Sequence, residues 1–299
     1  MYLKKIASAL ILNKPNIFEG YHSEKKYRIV DTNPIFITGC GRSGTHFLSE
    51  IFSQNTEIDN YHLDSIGNPI GDAYQIFSKW HELPVNNYEF INSRGYLIEK
   101  AKEKNKRYLE SNPLIAFSVK ELYEHFGGTI IIVYRNPQKA IESHYRKGWY
   151  MLDSCFGNDI PGYNYSIDRP NHYFSRITPK DIPYLQWKEM SRIKKIIWMW
   201  VNIYKKIVED TATLKNVLWL NIDEFNYEQY IKTMKKINVS SKISEQCFNR
   251  QVNNKPGKGK TNEKVQWSSS DIQYYYDEVS PIWNRHIKKA ITPLPEITI

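Results

Sequence analysis

The run Gly39-Cys40-Gly41-Arg42-Ser43-Gly44-Thr45-His46 combines glycines with one arginine and two hydroxyls. Glycines let backbone N–H groups curl inward, and the start of a helix adds free N–H groups and a favourable dipole for an anion. Gly39 and Gly44 have the separation of the nucleotide-kinase loop G-x-x-x-x-G-K-[ST], but Thr45 stands at its lysine position and His46 at its hydroxyl position. The missing lysine is the cation that reaches the β- and γ-phosphates, and the missing hydroxyl is the usual magnesium ligand. The positive charge lies inside the loop instead, at Arg42. These residues predict a phosphate-like anion and argue against nucleoside triphosphate hydrolysis.

A second pair follows the same logic. Arg135 directly follows the apolar run Thr129–Tyr134, and Ser143 comes eight residues later. The guanidinium fork matches phosphate oxygens, and a nearby hydroxyl completes a clamp.

These residues need elements to position them. Ile35–Thr38 reads as a buried strand ahead of the glycine loop, and Phe47, Leu48, Ile51 and Phe52 fall at helical spacing after it, fading near Gln54-Asn55. Residues 56–64 suggest a second short strand, 72–110 helix with a charged face at Glu99–Lys106, and Leu114–Val119 a third strand. TIIIVY, 129–134, has the unbroken β-branched run of a central parallel strand. Asn136-Pro137 then supplies an N-cap and a first helical position. Residues 151–186 are rich in Pro, Gly, Tyr and Asn and predict a long irregular segment on the acceptor side. A helix from about Gln186 to Asp210 carries Trp187, Ile193, Ile197, Trp200, Tyr204 and Ile207 on one side. A strand at Val217–Ile222 and a helix to about Ile237 come next. A basic glycine loop runs from Asn253 to Thr261, with Trp267 beyond it, and helices from Ser269 to Ala290 follow. Strands alternating with helices predict a three-layer α/β/α fold with a mostly parallel sheet, whose ligands gather at the carboxyl ends of the strands. The domain reading is a lead-in at 1–33, one domain at 34–290 and a tail at 291–299.

Composition sets the outer bounds. The 299 residues are 41% hydrophobic and carry a net charge of +9, which favours anionic ligands without choosing among them. No nucleic-acid motif accompanies the charge. Three cysteines without a C-x-x-C pair imply neither a disulfide framework nor a zinc site, and point to a reducing compartment. The only apolar run near the N-terminus, Ile6–Leu12, is far short of a bilayer span. The expected location is cytoplasmic, with peripheral membrane contact left open.

In these motifs the chain resembles the sulfotransferases that use 3′-phosphoadenosine 5′-phosphosulfate (PAPS). Their 5′-phosphosulfate loop, P-[KR]-S-G-T-[TS], is similar to Gly41-Arg42-Ser43-Gly44-Thr45-His46, with Gly41 in place of proline and His46 in place of a hydroxyl residue. Their 3′-phosphate motif, strand-R-[DN]-P with a serine eight residues after the arginine, is similar to Arg135-Asn136-Pro137 through Ser143. Later elements agree in order, although Ile222 replaces the tyrosine that many cytosolic members place near adenine.

The resemblance implies a P-loop-like sulfotransferase fold and transfer of a sulfuryl group from PAPS to a hydroxyl or amine of a carbohydrate, lipid-linked sugar or small molecule. PAP would be the product, and no metal takes part. By position, Gly41, Arg42, Ser43, Gly44, Thr45 and His46 would hold the phosphosulfate, with Arg42 beside the transferring group. Arg135, Ser143, Lys258 and Gly259 would hold the 3′-phosphate. The acceptor needs a general base. His62, with Asp64 close by, occupies the end of the second strand, where several members place a histidine or glutamate. Glu121 lies near the place of the cytosolic catalytic histidine, with Lys120 as an adjacent cation. Two other readings stand beside this one: a P-loop kinase-like phosphotransferase, and a non-catalytic nucleotide- or anion-binding protein.

Overall fold

The strand Thr129–Tyr134 is buried along its whole length, and its side chains divide between two cores. Ile130 and Ile132 face one side, Ile131 and Val133 the other, as the two-residue period of a strand requires. A strand covered on both faces must lie inside a layered sheet. The computed structural model describes residues 32–63, 69–85, 87–150, 176–240, 242–253, 264–287 and 297. Within them the order is β1 (Ile35–Thr38), α1 (Thr45–Ser53), β2 (Ile58–His62), α2 (Pro69–Trp80), α3 (Asn87–Glu103), β3 (Arg107–Ser111), α4 (Val119–Phe126), β4 (Thr129–Tyr134) and α5 (Pro137–Arg146). There follow α6 (Tyr184–Glu189), α7 (Arg192–Thr211), β5 (Val217–Asn221), α8 (Tyr227–Lys236), α9 (Glu245–Asn253), α10 (Ser269–Ile282) and a π-helical turn, Trp283–Ile287.

The five strands form one parallel sheet in the order β2-β3-β1-β4-β5. Ile35 of β1 stands level with Leu109 of β3 and Thr129 of β4. One core packs Phe36, Ile130 and Ile132 with Trp200, Tyr204 and Tyr275 of α7 and α10. The other packs Ile35, Ile37, Ile131 and Val133 with Phe47, Leu48, Ile51 and Phe52 of α1 and with Tyr230 and Met234 of α8. The three-layer α/β/α expectation holds, with every strand pair parallel. The chain leaves β1 toward β2 and β3 first and crosses to β4 and β5 later, so the crevice of this sheet opens at the carboxyl end of β1.

Three element assignments differ from the sequence reading. Arg107–Ser111 is a strand, not the end of a helix, and Leu114–Val119 is a 3-10 turn running into α4, not a strand. The polar letters of RYLES conceal the strand, because Glu110 is buried in an ionic network. The apolar letters at 114–119 are buried in a turn, and a short apolar run does not declare its own geometry. The long helix expected from Gln186 is broken at Met190-Ser191, where the Ser191 side chain caps α7 by accepting from Lys194 N at 3.1 Å. Asn136 does cap α5, accepting from Lys139 N at 3.2 Å, with Pro137 at the first turn. Asp64, Lys258, Gly259 and most of the 151–186 segment lie outside the described residues. Among the described residues no helix is long and apolar enough to cross a membrane.

The network that buries Glu110 ties two helices to β3. Arg94 of α3 donates to Asp72 of α2 at 2.6 Å and to both Glu110 oxygens at 2.9 and 3.2 Å. Asn112 donates to Asp72 at 2.9 Å and to Glu110 at 3.0 Å, and Tyr108 donates to Glu110 at 3.0 Å. Arg94 and Glu110 are 1% and 0% exposed, so removing one partner strands a charge away from water. Burial raises the Asp72 carboxyl above its ordinary pKa, and Arg94 opposes that rise. Arg94→Met is expected to cost about 3–5 kcal/mol in urea unfolding. A loss under about 1 kcal/mol would show that the two carboxylates do not depend on their cation.

Candidate active site

The loop after β1 presses against the backbone of β4. A Cβ on Gly39 would lie 2.2 Å from the Val133 carbonyl oxygen, so only glycine passes there. Tyr204 of α7 donates its hydroxyl hydrogen to the same carbonyl at 2.8 Å. With that hydrogen committed, Tyr204 accepts from Ser43 Oγ at 3.1 Å. Ser43 N closes the turn onto Cys40 O at 3.2 Å. Cys40 is fully buried, and burial pushes its thiol pKa far up, which leaves it a small neutral filler. Gly44 (φ 105) leads into α1, and a Cβ there would meet Ile222 at 2.6 Å.

Arg42 holds a left-handed φ of 66, which costs a non-glycine residue roughly 1–2 kcal/mol. The second motif supplies the compensating contacts. Arg42 Nε donates to Ser143 Oγ at 3.0 Å, and Arg135 Nη1 donates to the Arg42 carbonyl at 3.3 Å. Arg42 and the pair Arg135 and Ser143, more than ninety residues further along the sequence, form one assembly at the carboxyl edge of β1 and β4. Asp223, just beyond β5, fixes the far side. Its Oδ2 accepts from Asn136 N at 2.6 Å, and its Oδ1 lies 3.7 Å from Arg135 and 3.4 Å from Lys139. Among the described residues the buried Arg135 Nε has no hydrogen-bond partner.

His144 lies beneath this assembly, fully buried, its Nδ1 donating to Ala140 O at 2.8 Å. Its Nε2 points toward the loop, 3.4 Å from where a Gly41 Cβ would be, and has no partner among the described residues. The ring meets Trp149 edge-on at 4.5 Å, and the buried Arg176 covers that indole at 4.2 Å. Burial lowers the His144 pKa to about 3, with the Ala140 bond opposing and Arg42, Arg176 and Arg135 adding to the fall.

The proton-transfer candidates separate. His62, at the carboxyl end of β2, hydrogen-bonds through Nδ1 to the Ser111 carbonyl. A carbonyl only accepts, so Nδ1 carries the hydrogen and Nε2 is the basic nitrogen of the neutral ring. Ser111 in turn donates its hydroxyl to Thr45 O at 2.7 Å, which joins His62 to the first residue of α1. His46 does not turn into the cradle. Its ring lies 5.0 Å from that of His62, and its Nε2 is 3.3 Å from Glu50.

Glu121 has a lysine partner. It pairs with Lys79, which also donates to Ser118 Oγ at 2.9 Å. The neighbouring charges are Asp210 and Lys206 on the last turns of α7. Lys120 is half exposed and faces Glu124 at 3.9 Å. Glu121 thus pairs with Lys79, Lys120 faces Glu124, and the Ser43 hydroxyl bonds to Tyr204. Lys258 and Gly259 cannot be placed, although Trp267 beyond them donates to Glu142, next to Ser143, at 3.3 Å. Sequence reasoning assigned no site role to Tyr204, Arg176, His144 or Asp223. Tyr204 and Asp223 carried a signal, as part of a helix and of a strand end that recur in order with the motifs.

No protein-family model matches this sequence, and no curated protein does. Among solved structures the chain is similar to the sulfotransferase STF9 from Mycobacterium avium, at 9% identity and a TM-score of 0.50, over 98% of this chain and 83% of that one. The chain has a sulfotransferase fold. A second similar structure is the sulfotransferase domain from the curacin biosynthetic pathway, at 14% identity and a TM-score of 0.38, over 81% of this chain and 77% of that one. Among the described residues no group of three or more His, Cys, Asp and Glu is placed to hold a metal.

The buried histidine gives this sulfotransferase fold a measurable pH signature. The unfolded chain takes up a proton near pH 6.5 that the folded chain refuses until about 3. Stability contributed by neutral His144 is thus complete above pH 6.5 and is lost as the pH falls toward 3. Melting temperatures between pH 4 and 7 are expected to fall less steeply for His144→Gln than for the unaltered protein. Parallel curves would contradict it.

Proposed function

We propose that this protein is a sulfotransferase that moves a sulfuryl group from PAPS to a hydroxyl, or amine, of a carbohydrate, lipid-linked sugar or small-molecule acceptor. The observation that carries the reading is the meeting of the two anion-binding motifs, with Arg42 on Ser143 at 3.0 Å and Arg135 on the Arg42 carbonyl. The residues fit a donor with anions at both ends: Gly39 and Gly44 let the loop backbone pass against Val133 and Ile222, where a Cβ would clash, and the loop brings Arg42 beside Arg135 and Ser143.

Bound PAPS would supply the activated sulfuryl group. Arg42 and the N–H groups at the start of α1 would hold the phosphosulfate end and offset its developing negative charge, by the logic of phosphoryl transfer. Arg135 and Ser143 hold the 3′-phosphate, and the Lys258–Gly259 stretch is assigned to the same phosphate. His62 accepts the acceptor's proton at Nε2, with Nδ1 pinned on Ser111. Thr45 at the position of the kinase lysine stands against the phosphotransferase alternative.

Thermal stabilisation by PAP should exceed that by ATP with magnesium. Preference for ATP would overturn the proposal, and stabilisation by neither would favour a non-catalytic protein. Arg135→Ala should weaken PAP binding by roughly 30- to 100-fold, and an unchanged dissociation constant would remove Arg135 from the site. His62→Ala should lower kcat by about 10²–10⁴ while PAP affinity stays the same. Retained activity would take the base role away from His62.

A further inference from the structure

A carboxylate of the chain itself stands beside the arginine assigned to the 3′-phosphate. We propose that Asp223 is a resident counter-ion that weakens the grip of Arg135 on that phosphate, so that the spent nucleotide PAP can leave. The proposal rests on the sulfotransferase reading for its ligand, although its inorganic phosphate test does not.

The turn after β5 fixes where the carboxylate stands. Ile222 N donates to Tyr134 O at 2.9 Å, and the Ile222 side chain packs where a Gly44 Cβ would be. Asp223 N donates to Asn221 Oδ1 at 3.1 Å, and the Asp223 side chain lies across the start of α5. Its Oδ2 accepts from Asn136 N at 2.6 Å, at a helix end that favours an anion. Its Oδ1 is 3.7 Å from Arg135 Nη2 and 3.4 Å from Lys139 Nζ. The contact to Asn136 is a full hydrogen bond, whereas the contact to Arg135 is an ion pair too long to be one. Asp223 therefore offsets the charge of Arg135 without taking one of its hydrogens. Glu142, the acidic residue beside Ser143, instead accepts from Gln138 and Trp267 and pairs with Arg146.

A phosphate that accepts a hydrogen bond from Arg135 comes within roughly 7 Å of the Asp223 carboxylate, inside the Debye length. The two like charges repel, and they share one guanidinium. The 3′-phosphate is the same group in PAPS and in PAP, so its attachment holds donor and product equally and cannot lower the chemical barrier. An over-tight hold would slow the departure of PAP. A carboxylate that steadies Arg135 beside the Arg42 carbonyl, yet resists the phosphate, serves both needs.

The test is Asp223→Asn, which keeps an oxygen for Asn136 N and removes the charge. PAP should bind this variant roughly 5- to 20-fold more tightly, chiefly through slower dissociation. Adenosine 5′-phosphate, which lacks the 3′-phosphate, should gain less, and equal gains for the two nucleotides would overturn the proposal. Asp223→Ser, which also keeps an oxygen in the turn, should shift PAP affinity the same way. Unchanged or looser PAP binding would make Asp223 a mere support for Arg135 and would overturn the proposal. Inorganic phosphate should bind Asp223→Asn about threefold more tightly, or better, than it binds the unaltered protein. If PAP binds neither protein, the sulfotransferase reading falls while the phosphate comparison still decides the role of Asp223. Tighter phosphate binding by the variant upholds that role, and equal or absent binding overturns it.

Discussion

The site depends on one phenol. The Tyr204 hydroxyl lies at the point where β4, α7 and the glycine loop converge, donating to Val133 O and accepting from Ser43. It is fully buried, and burial drives its pKa far up, so it remains a donor at any ordinary pH. Because the Gly39 backbone touches the same carbonyl, the loop has no room to relax inward. Pressed from beneath, it turns Arg42 outward in a left-handed conformation that a free peptide would avoid.

Turned outward, Arg42 enters a crowd of like charges. Arg135 is bonded to its carbonyl, and Arg176 and Arg42 both bear on His144. Bringing guanidinium groups together is unfavourable unless an anion accompanies them. Asp223 supplies part of that anion, with one carboxylate spanning the Asn136 N–H, Arg135 and Lys139.

The legible parts of the chain were those whose burial is complete. β1 and β4 announce themselves as apolar, β-branched runs because both faces meet helices. β3 was not legible, since Glu110 reads as solvent-facing until Arg94 and Asp72 are known to surround it. Arg42, Arg135 and Ser143 stand out in the sequence because few residue types suit a phosphate clamp, and the fold brings the three together. The partners of Ser43 and Glu121, Tyr204 and Lys79, are distant in sequence and leave no local pattern. His46 stands out in the sequence as a departure from the family's hydroxyl, and its place beside His62 comes from the fold, which brings β2 against α1.

Ser111 accepts from His62 with its backbone carbonyl and donates to the Thr45 carbonyl with its side chain. One residue thereby spans the gap between the edge strand and the loop helix. Any breathing of the sheet edge carries both neighbours with it, as a crosspiece keeps two rails at one gauge. The separation of the two halves of the site is thus written into the end of β3, a strand that contributes no reacting group of its own.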